Sequence, residues 1–415
     1  MAHLYRDGGS AINPVFSVHH LNADSSRVDF RIDRQELLYM KGSDEADFGA
    51  RLAIAYRLQG SRGQMIDSGR VFLFDRKQLE ATGHLKSSFY IQRSDSISAR
   101  RLKLIFYDLN RKYRVAYERT VTDALPGSRQ YFEWRSLSGE LKFTPWANRE
   151  EAYRIRYLPK DTLLFVRFYQ RDFPIATPPY ASVEEESFDF NEDSLFMVST
   201  YDTLQFTTPG IYHFQLDTSS TEGFTIFQFE KGFPRVLNRV QLAPPLRYIT
   251  TRKEYERLTG PDDNDSLKYV ADRFWLKAAG SIERGQEIIA DYYGRVEKAN
   301  ANFTSYLEGW KTDRGIIYII YGPPSEVYRD VKGETWIYGD RNSQLSYIFN
   351  FVKVPNPFTE NDFALDRRTE YRYGWGQAVG AWRSGRNYGV KDSRREQNAR
   401  DAQLRHQRTS PVIWY

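Results

Sequence analysis

Apolar side chains recur at every second position early in the chain, as Val28, Phe30 and Ile32 in one run and Leu52, Ile54, Tyr56 and Leu58 in another. Period two places such residues on one face of a strand, so each run predicts a strand with one buried face. Val71 to Phe74, Leu102 to Tyr107 and Arg114 to Val121 continue the series, separated by turns such as Gly60-Ser61-Arg62-Gly63. Strands in such a series predict a β-sandwich over residues 1–124. After Pro126-Gly127 a second series begins with Thr162 to Tyr169, Leu195 to Ser199, Ile211 to Leu216 and Phe224 to Phe229. It predicts a second sandwich over residues 125–242, both modules of immunoglobulin-like type. Phe173 to Tyr180, followed by Glu184-Glu185-Glu186, is too rich in proline for a central strand and reads as a surface loop.

The period changes after Ala243-Pro244-Pro245-Leu246, whose prolines mark a boundary. Leu267, Val270, Ala271, Phe274 and Ala278 follow helical spacing, and Ile289, Tyr292, Tyr293, Val296, Asn300, Phe303 and Leu307 extend it, predicting two amphipathic helices. The run Gly315-Ile316-Ile317-Tyr318-Ile319-Ile320-Tyr321 then predicts a buried strand, closed by the turn Gly322-Pro323-Pro324-Ser325. Glu334 to Tyr338 and Leu345 to Phe351 predict two further strands. Residues 243–365 therefore read as an α+β module with helices on a small antiparallel sheet, and residues 366–415 as a basic, aromatic-containing tail. The whole is a multidomain, β-rich protein, which agrees with its 29 Tyr, 27 Phe and 8 Trp, side chains that suit pleated, half-buried surfaces.

Charge refines this picture. The net +5 is concentrated in residues 366–415, which carry +6, leaving −1 on the first 365. Arg383, Arg386, Arg394 and Arg395, interleaved with Trp382 and Tyr388, form a candidate surface for an anionic partner. No recognised nucleic-acid module accompanies them, so specific nucleic-acid binding is not expected. The chain has no cysteine, which excludes disulfides, thiolate metal sites and a cysteine nucleophile. No stretch approaches the roughly 18 apolar residues of a membrane span, and the N-terminus has no signal-peptide pattern, so a soluble chain is expected.

Catalytic patterns are missing: there is no GxSxG elbow, phosphate-binding GxxxxGK[ST] loop or HExxH zinc helix. None of the six histidines has metal-ligand spacing by itself, and His213 reads as a packed residue in a strand. Asp262-Asp263-Asn264-Asp265 and Asp189-Phe190-Asn191-Glu192-Asp193 lack the glycine and distal glutamate of a calcium loop, so neither a metal nor a cofactor is expected. Residues 374–380 do not match a nucleotide-binding glycine loop. Paired carboxylates for glycoside hydrolysis, being distant in sequence, stay open.

Gly309-Trp310-Lys311-Thr312-Asp313, continuing through Arg314-Gly315 to Gly322-Pro323-Pro324 and supported by Glu334-Thr335-Trp336, resembles the signature of the GWxTD domain-containing proteins of the Bacteroidota. The resemblance implies a cell-envelope protein, often a lipoprotein, belonging to an outer-membrane or periplasmic assembly and attached through a lipid anchor absent from this chain. It supplies no catalytic residues. Physically, Gly309 is expected to end a helix, Trp310 to close the core and Thr312 and Asp313 to satisfy backbone donors in the connection. The functional alternative places Asp313 and Arg314 in a pocket floored by Trp310 and Trp336. A non-enzymatic envelope scaffold is thus the leading expectation. The alternative is a hydrolase or carbohydrate-processing enzyme with loop carboxylates in an aromatic-lined cleft of the C-terminal module. The partner and oligomeric state are not readable from the sequence.

Overall fold

The computed structural model describes residues 12–41, 48–77, 83–93, 100–121, 127–182, 189–260, 264–330, 332–339, 346–386 and 388. Glu184 to Glu186, Asp262 and Asp263 of the acidic run, and the tail from 389 onward, with Arg394 and Arg395, lie outside them.

The N-terminal part contains β1 (Val15–His20), β2 (Ser25–Asp33), β3 (Met40–Lys41), β4 (Phe48–Gln59), β5 (Met65–Arg76), β6 (His84–Gln92), β7 (Arg100–Asp108) and β8 (Tyr113–Val121). One antiparallel sheet runs β1-β2-β6, and in the other β4 joins β3, β5 and β7, with β8 beyond β7. Phe30, Ile32, Ile54, Leu58, Leu104 and Phe106 fill the space between the sheets. The next unit holds β9 (Phe132–Ser136), β10 (Ala152–Tyr157), β11 (Leu163–Tyr169), β12 (Ser194–Ser199), β13 (Leu204–Gln205), β14 (Gly210–Gln215) and β15 (Phe224–Gln228). Its sheets run β13-β10-β9 and β12-β11-β14-β15 around Phe132, Trp134, Leu164, Val166, Phe214 and Ile226. Glu133, buried on β9, accepts from Arg27 of β2 at 2.7 Å and from Arg135 at 2.9 Å. Burial would push its carboxyl up, but the two guanidinium groups hold it below the usual range.

The C-terminal unit holds α1 (Arg252–Thr259), α2 (Asn264–Ala279), α3 (Ile282–Phe303), α4 (Asp313–Tyr321), β16 (Glu326–Arg329), β17 (Gly333–Tyr338), β18 (Tyr347–Lys353), β19 (Phe363–Leu365) and α5 (Tyr371–Arg383). Its antiparallel sheet runs β16-β17-β18-β19.

Two expectations are corrected here. Residues 315–321 form the helix α4, not a strand. Arg314 through Tyr321 are all buried, and a helix buried on every side shows a continuous apolar run indistinguishable from a core strand. The decision is made at its start, where Thr312 accepts from the Gly315 N–H at 3.1 Å and Asp313 stands in the first turn. Second, the tail begins later than position 366. Residues 371–383 are α5, whose Trp375, Ala378 and Trp382 are buried, with Trp382 donating to the Ile320 carbonyl at 3.0 Å.

Candidate functional site

After α3 the chain turns back against that helix in a single 3₁₀ turn, Gly309–Lys311. A Cβ on Gly309 would lie 1.9 Å from the Ala299 carbonyl oxygen, and one on Gly315 would lie 1.8 Å from the Gly309 carbonyl oxygen. Both glycines therefore permit backbone to meet backbone. This corrects the expectation for Gly309: α3 already ends at Phe303, and Gly309 is a point of close approach.

The polar groups around this contact satisfy one another. The Gly309 N–H donates to Thr304 Oγ1 at 3.0 Å, and the Trp310 N–H to Asn300 Oδ1 at 3.1 Å. Thr312 Oγ1 donates to the Gly309 carbonyl at 2.8 Å while capping α4. The Trp310 ring is 6% exposed, meets Tyr248 edge-on at 6.3 Å and carries the Lys311 ammonium 5.3 Å from its centroid.

Asp313 reaches outward. One oxygen accepts from the Leu365 N–H at 2.8 Å and the other pairs with Arg367. Arg367 in turn donates to the carbonyls of Thr177 and Pro178, each at 2.8 Å. Burial pushes the Asp313 carboxyl up, opposed by Arg367 and the Leu365 N–H. The proline-rich segment expected as a surface loop is consequently a docked strap. Its Ala176 N–H donates to the Lys311 carbonyl at 2.8 Å, and Tyr248 Oη donates to the Ala176 carbonyl at 3.2 Å.

Arg314 points the other way. It is 2% exposed, donates to Glu334 at 3.0 Å and to the Asn361 carbonyl at 2.9 Å, and lies 3.9 Å over the Phe363 ring. The second Glu334 oxygen accepts from Trp336 Nε1 at 2.8 Å. Asp313 and Trp310 thus belong to the strap side, and Arg314 and Trp336 to the core between α4 and β17, so the structure does not bring the four together around one pocket. Gly322, at φ +80°, ends α4 and accepts from Tyr338 Oη at 2.8 Å. Of the two prolines that follow, Pro323 is exposed and Pro324 buried. Arg295 closes the same helix end by donating to the Ile319 carbonyl at 3.0 Å.

Arg383 donates to the Ile249 carbonyl at 2.9 Å and to both oxygens of Glu254, at 2.7 and 3.0 Å. That guanidinium holds the Glu254 carboxyl down at about 2. Arg386 is exposed just beyond α5. Sequence reasoning missed Asn300, Thr304, Asn361 and Arg367. The last follows β19 by two residues, but no spacing rule connects it to Asp313.

Among the described residues no group of three or more His, Cys, Asp or Glu is placed to hold a metal. His213 is buried, bonded to Thr225 Oγ1 at 2.9 Å, and burial drives its imidazole down to about 3. Asp362 near the signature is also pushed up by burial, and accepts from Asn356 at 3.1 Å. A groove of about 270 Å³ lies on the second β unit, lined among others by Lys142, Trp146, Glu151, Tyr153, Glu230 and Phe233. There Lys142, 2.9 Å from Glu151, holds that carboxyl below its ordinary range.

Residues 210–384 match the model of the GWxTD domain. No curated protein matches the chain. Among solved structures, a Bacteroides uniformis β-glucuronidase, and β-glucuronidase 2 of that organism covalently bound to cyclophellitol-6-carboxylate aziridine, each share 10% identity. Each match covers 33% of this chain and 15% of the other, with a TM-score of 0.18, a likeness that carries no functional argument. No helix is long and apolar enough to cross a membrane among the described residues. The matched region runs from β14 to just past α5 and contains the whole signature, so this chain contains a GWxTD domain.

Proposed function

We propose that the protein is a non-enzymatic cell-envelope component acting as a scaffold within an outer-membrane or periplasmic assembly, attached to the membrane through a lipid anchor outside these residues. One observation carries the non-catalytic part: the polar side chains of the signature are spent on internal partners. Thr312 caps a helix, Asp313 holds Arg367, and Arg314 is buried against Glu334 and Asn361. Groups so engaged support architecture; a reacting group needs access to its substrate. The envelope placement rests on the family resemblance.

The test is affinity purification of the tagged protein from fractionated native cells, alongside a variant lacking residues 389–415. This cut leaves α5 intact, because Trp382 belongs to the core. Stoichiometric envelope partners are expected. Recovery from the cytoplasm, or a chain without partners, overturns the scaffold.

A carbohydrate-processing enzyme is the second reading, favoured by the groove in which Glu151 and Glu230 stand near Trp146 and Tyr153. It lies on the second β unit, outside the C-terminal module. A Glu held ionised beside Lys142 suits a base or nucleophile, with Glu230 as the second carboxylate. Glycoside turnover abolished by both Glu151→Gln and Glu230→Gln would establish this reading.

A further inference from the structure

The sheet β12-β11-β14-β15 treats its two edges differently. Beyond β15, the Phe227 N–H donates to the Pro145 carbonyl at 2.7 Å and the Ala147 N–H to the Phe227 carbonyl at 2.9 Å, so that edge is covered. At the other edge, nothing among the described residues pairs with the outer side of β12. The strand sequence Ser194-Leu195-Phe196-Met197-Val198-Ser199 holds no charge and no proline. Leu195, Phe196 and Met197 are 46%, 40% and 59% exposed, and neighbouring Leu163 is 59% exposed. An edge without lysine, proline or bulge is a template for strand addition.

The hydrogen-bond alternation says which groups are free. Thr200 donates to the Thr162 carbonyl at 3.1 Å, so by antiparallel alternation Val198, Phe196 and Ser194 direct their backbone groups toward β11. Ser199, Met197 and Leu195 direct theirs outward. Those of Ser199 are occupied: its N–H donates to Asp202 Oδ2 at 2.7 Å and its carbonyl accepts from the Asp202 N–H at 2.9 Å. Among the described residues, the free set is the N–H and C=O of Leu195 and Met197.

We propose that β12 is a homodimerisation edge, pairing antiparallel with β12 of a second copy about a two-fold axis through Phe196. In this register Leu195 of each copy faces Met197 of the other, and the two reciprocal pairs use all the free donors and acceptors. Moving the register by two residues in either direction brings in Ser199, whose groups are taken, or Asp193, whose N–H donates to the Phe168 carbonyl at 3.0 Å. The strand carries no charge to repel its own copy, and Phe196 meets Phe196. Two four-stranded sheets become one continuous sheet, and closed two-fold pairing removes both exposed edges.

The absence of cysteine makes the register directly measurable. Phe196 would occupy a non-hydrogen-bonded pair with Cα atoms about 4.5 Å apart, a separation that fits a disulfide. Under copper-phenanthroline oxidation, Phe196→Cys is expected to cross-link into a covalent dimer, whereas Ser194→Cys, which faces Val198, stays monomeric. By sedimentation the native chain should associate as concentration rises. Met197→Lys should weaken that association about tenfold or more, without changing its far-UV spectrum or melting profile. A native chain that stays monomeric into the near-millimolar range, with Phe196→Cys uncross-linked, overturns the proposal. So does a dimer indifferent to Met197→Lys, or exchange protection of the Leu195 and Met197 amides that appears only when a different protein is added.

Discussion

Gly315→Ala separates a glycine kept for conformation from one kept for contact. Gly315 lies in α4 and has no positive φ, so helix propensity alone predicts that alanine stabilises by about 1 kcal/mol. The new methyl, however, would stand 1.8 Å from the Gly309 carbonyl oxygen, a backbone atom that cannot rotate away. The 3₁₀ turn must shift, straining the bonds from Thr312 to Gly309 and from Trp310 to Asn300. Overpacking of this kind costs typically about 1–3 kcal/mol, and with so short an approach against rigid backbone we expect a net loss of about 2 kcal/mol after the propensity gain. The control is Gly294→Ala in α3, where nothing lies within 4 Å of the added Cβ and stabilisation up to about 1 kcal/mol is expected. Urea unfolding of both variants, followed by tryptophan fluorescence and by hydrogen exchange of the α4 amides, gives the two signs. If Gly315→Ala stabilises as Gly294→Ala does, the close approach of the two signature glycines is wrong.

Arg314→Met leaves Glu334 buried with only part of its compensation, and we expect a loss of about 3–5 kcal/mol in urea unfolding; a change within the noise would mean that Arg329, 2.6 Å from the same carboxylate, suffices. Asp313→Asn keeps the shape but removes the charge that holds Arg367, so limited proteolysis within residues 173–180 should accelerate; unchanged cleavage would show that the strap does not depend on this pair. The Glu254–Arg383 pair predicts acid sensitivity. The Glu254 carboxyl lies at about 2 in the fold against an ordinary 4.5, so its contribution is complete above the ordinary value and is lost as pH falls toward 2. Because both side chains are about a third exposed, the amount is at most about 1 kcal/mol. Arg383→Ala should flatten that part of the pH dependence of melting, and an unaltered slope refutes the assignment.

The two β units were legible because alternation has one meaning when one face is buried: Val28, Phe30, Ile32, Leu52, Ile54 and Leu58 are all core residues. The helices α2 and α3 were legible for the same reason at a different period. Residues 315–321 were not, since burial on every side erases the polar face that distinguishes a helix from a strand; the informative signal was Thr312-Asp313 at its start. The helix α1 carried such a signal in Thr251 and Glu254, which form a capping box, yet its apolar pattern is sparse, with only Leu258 buried. The basic residues of positions 371–383 hid a helix that presents Tyr371, Trp375, Ala378 and Trp382 to the core while its charges face outward. At the signature the motif was legible but its partners were not. Asn300, Asn361 and Arg367 reach it through tertiary contacts that local spacing does not encode.

The geometry also accounts for a recognisable signature without free chemistry. Gly309 and Trp310 lock onto α3, Lys311 and Asp313 hold the strap from the second β unit, Asp313 reaches β19, and Thr312 with Gly315 begins α4. Trp310, Lys311 and Asp313 join segments that are distant in the chain, and removal of a polar member strands a partner in a place water does not readily reach. Packing alone can therefore dictate these residue types. Binding requires groups left over once the fold has satisfied itself. Among the described residues, the outward backbone groups of Leu195 and Met197 at an apolar edge are of this kind, and they lie outside the motif.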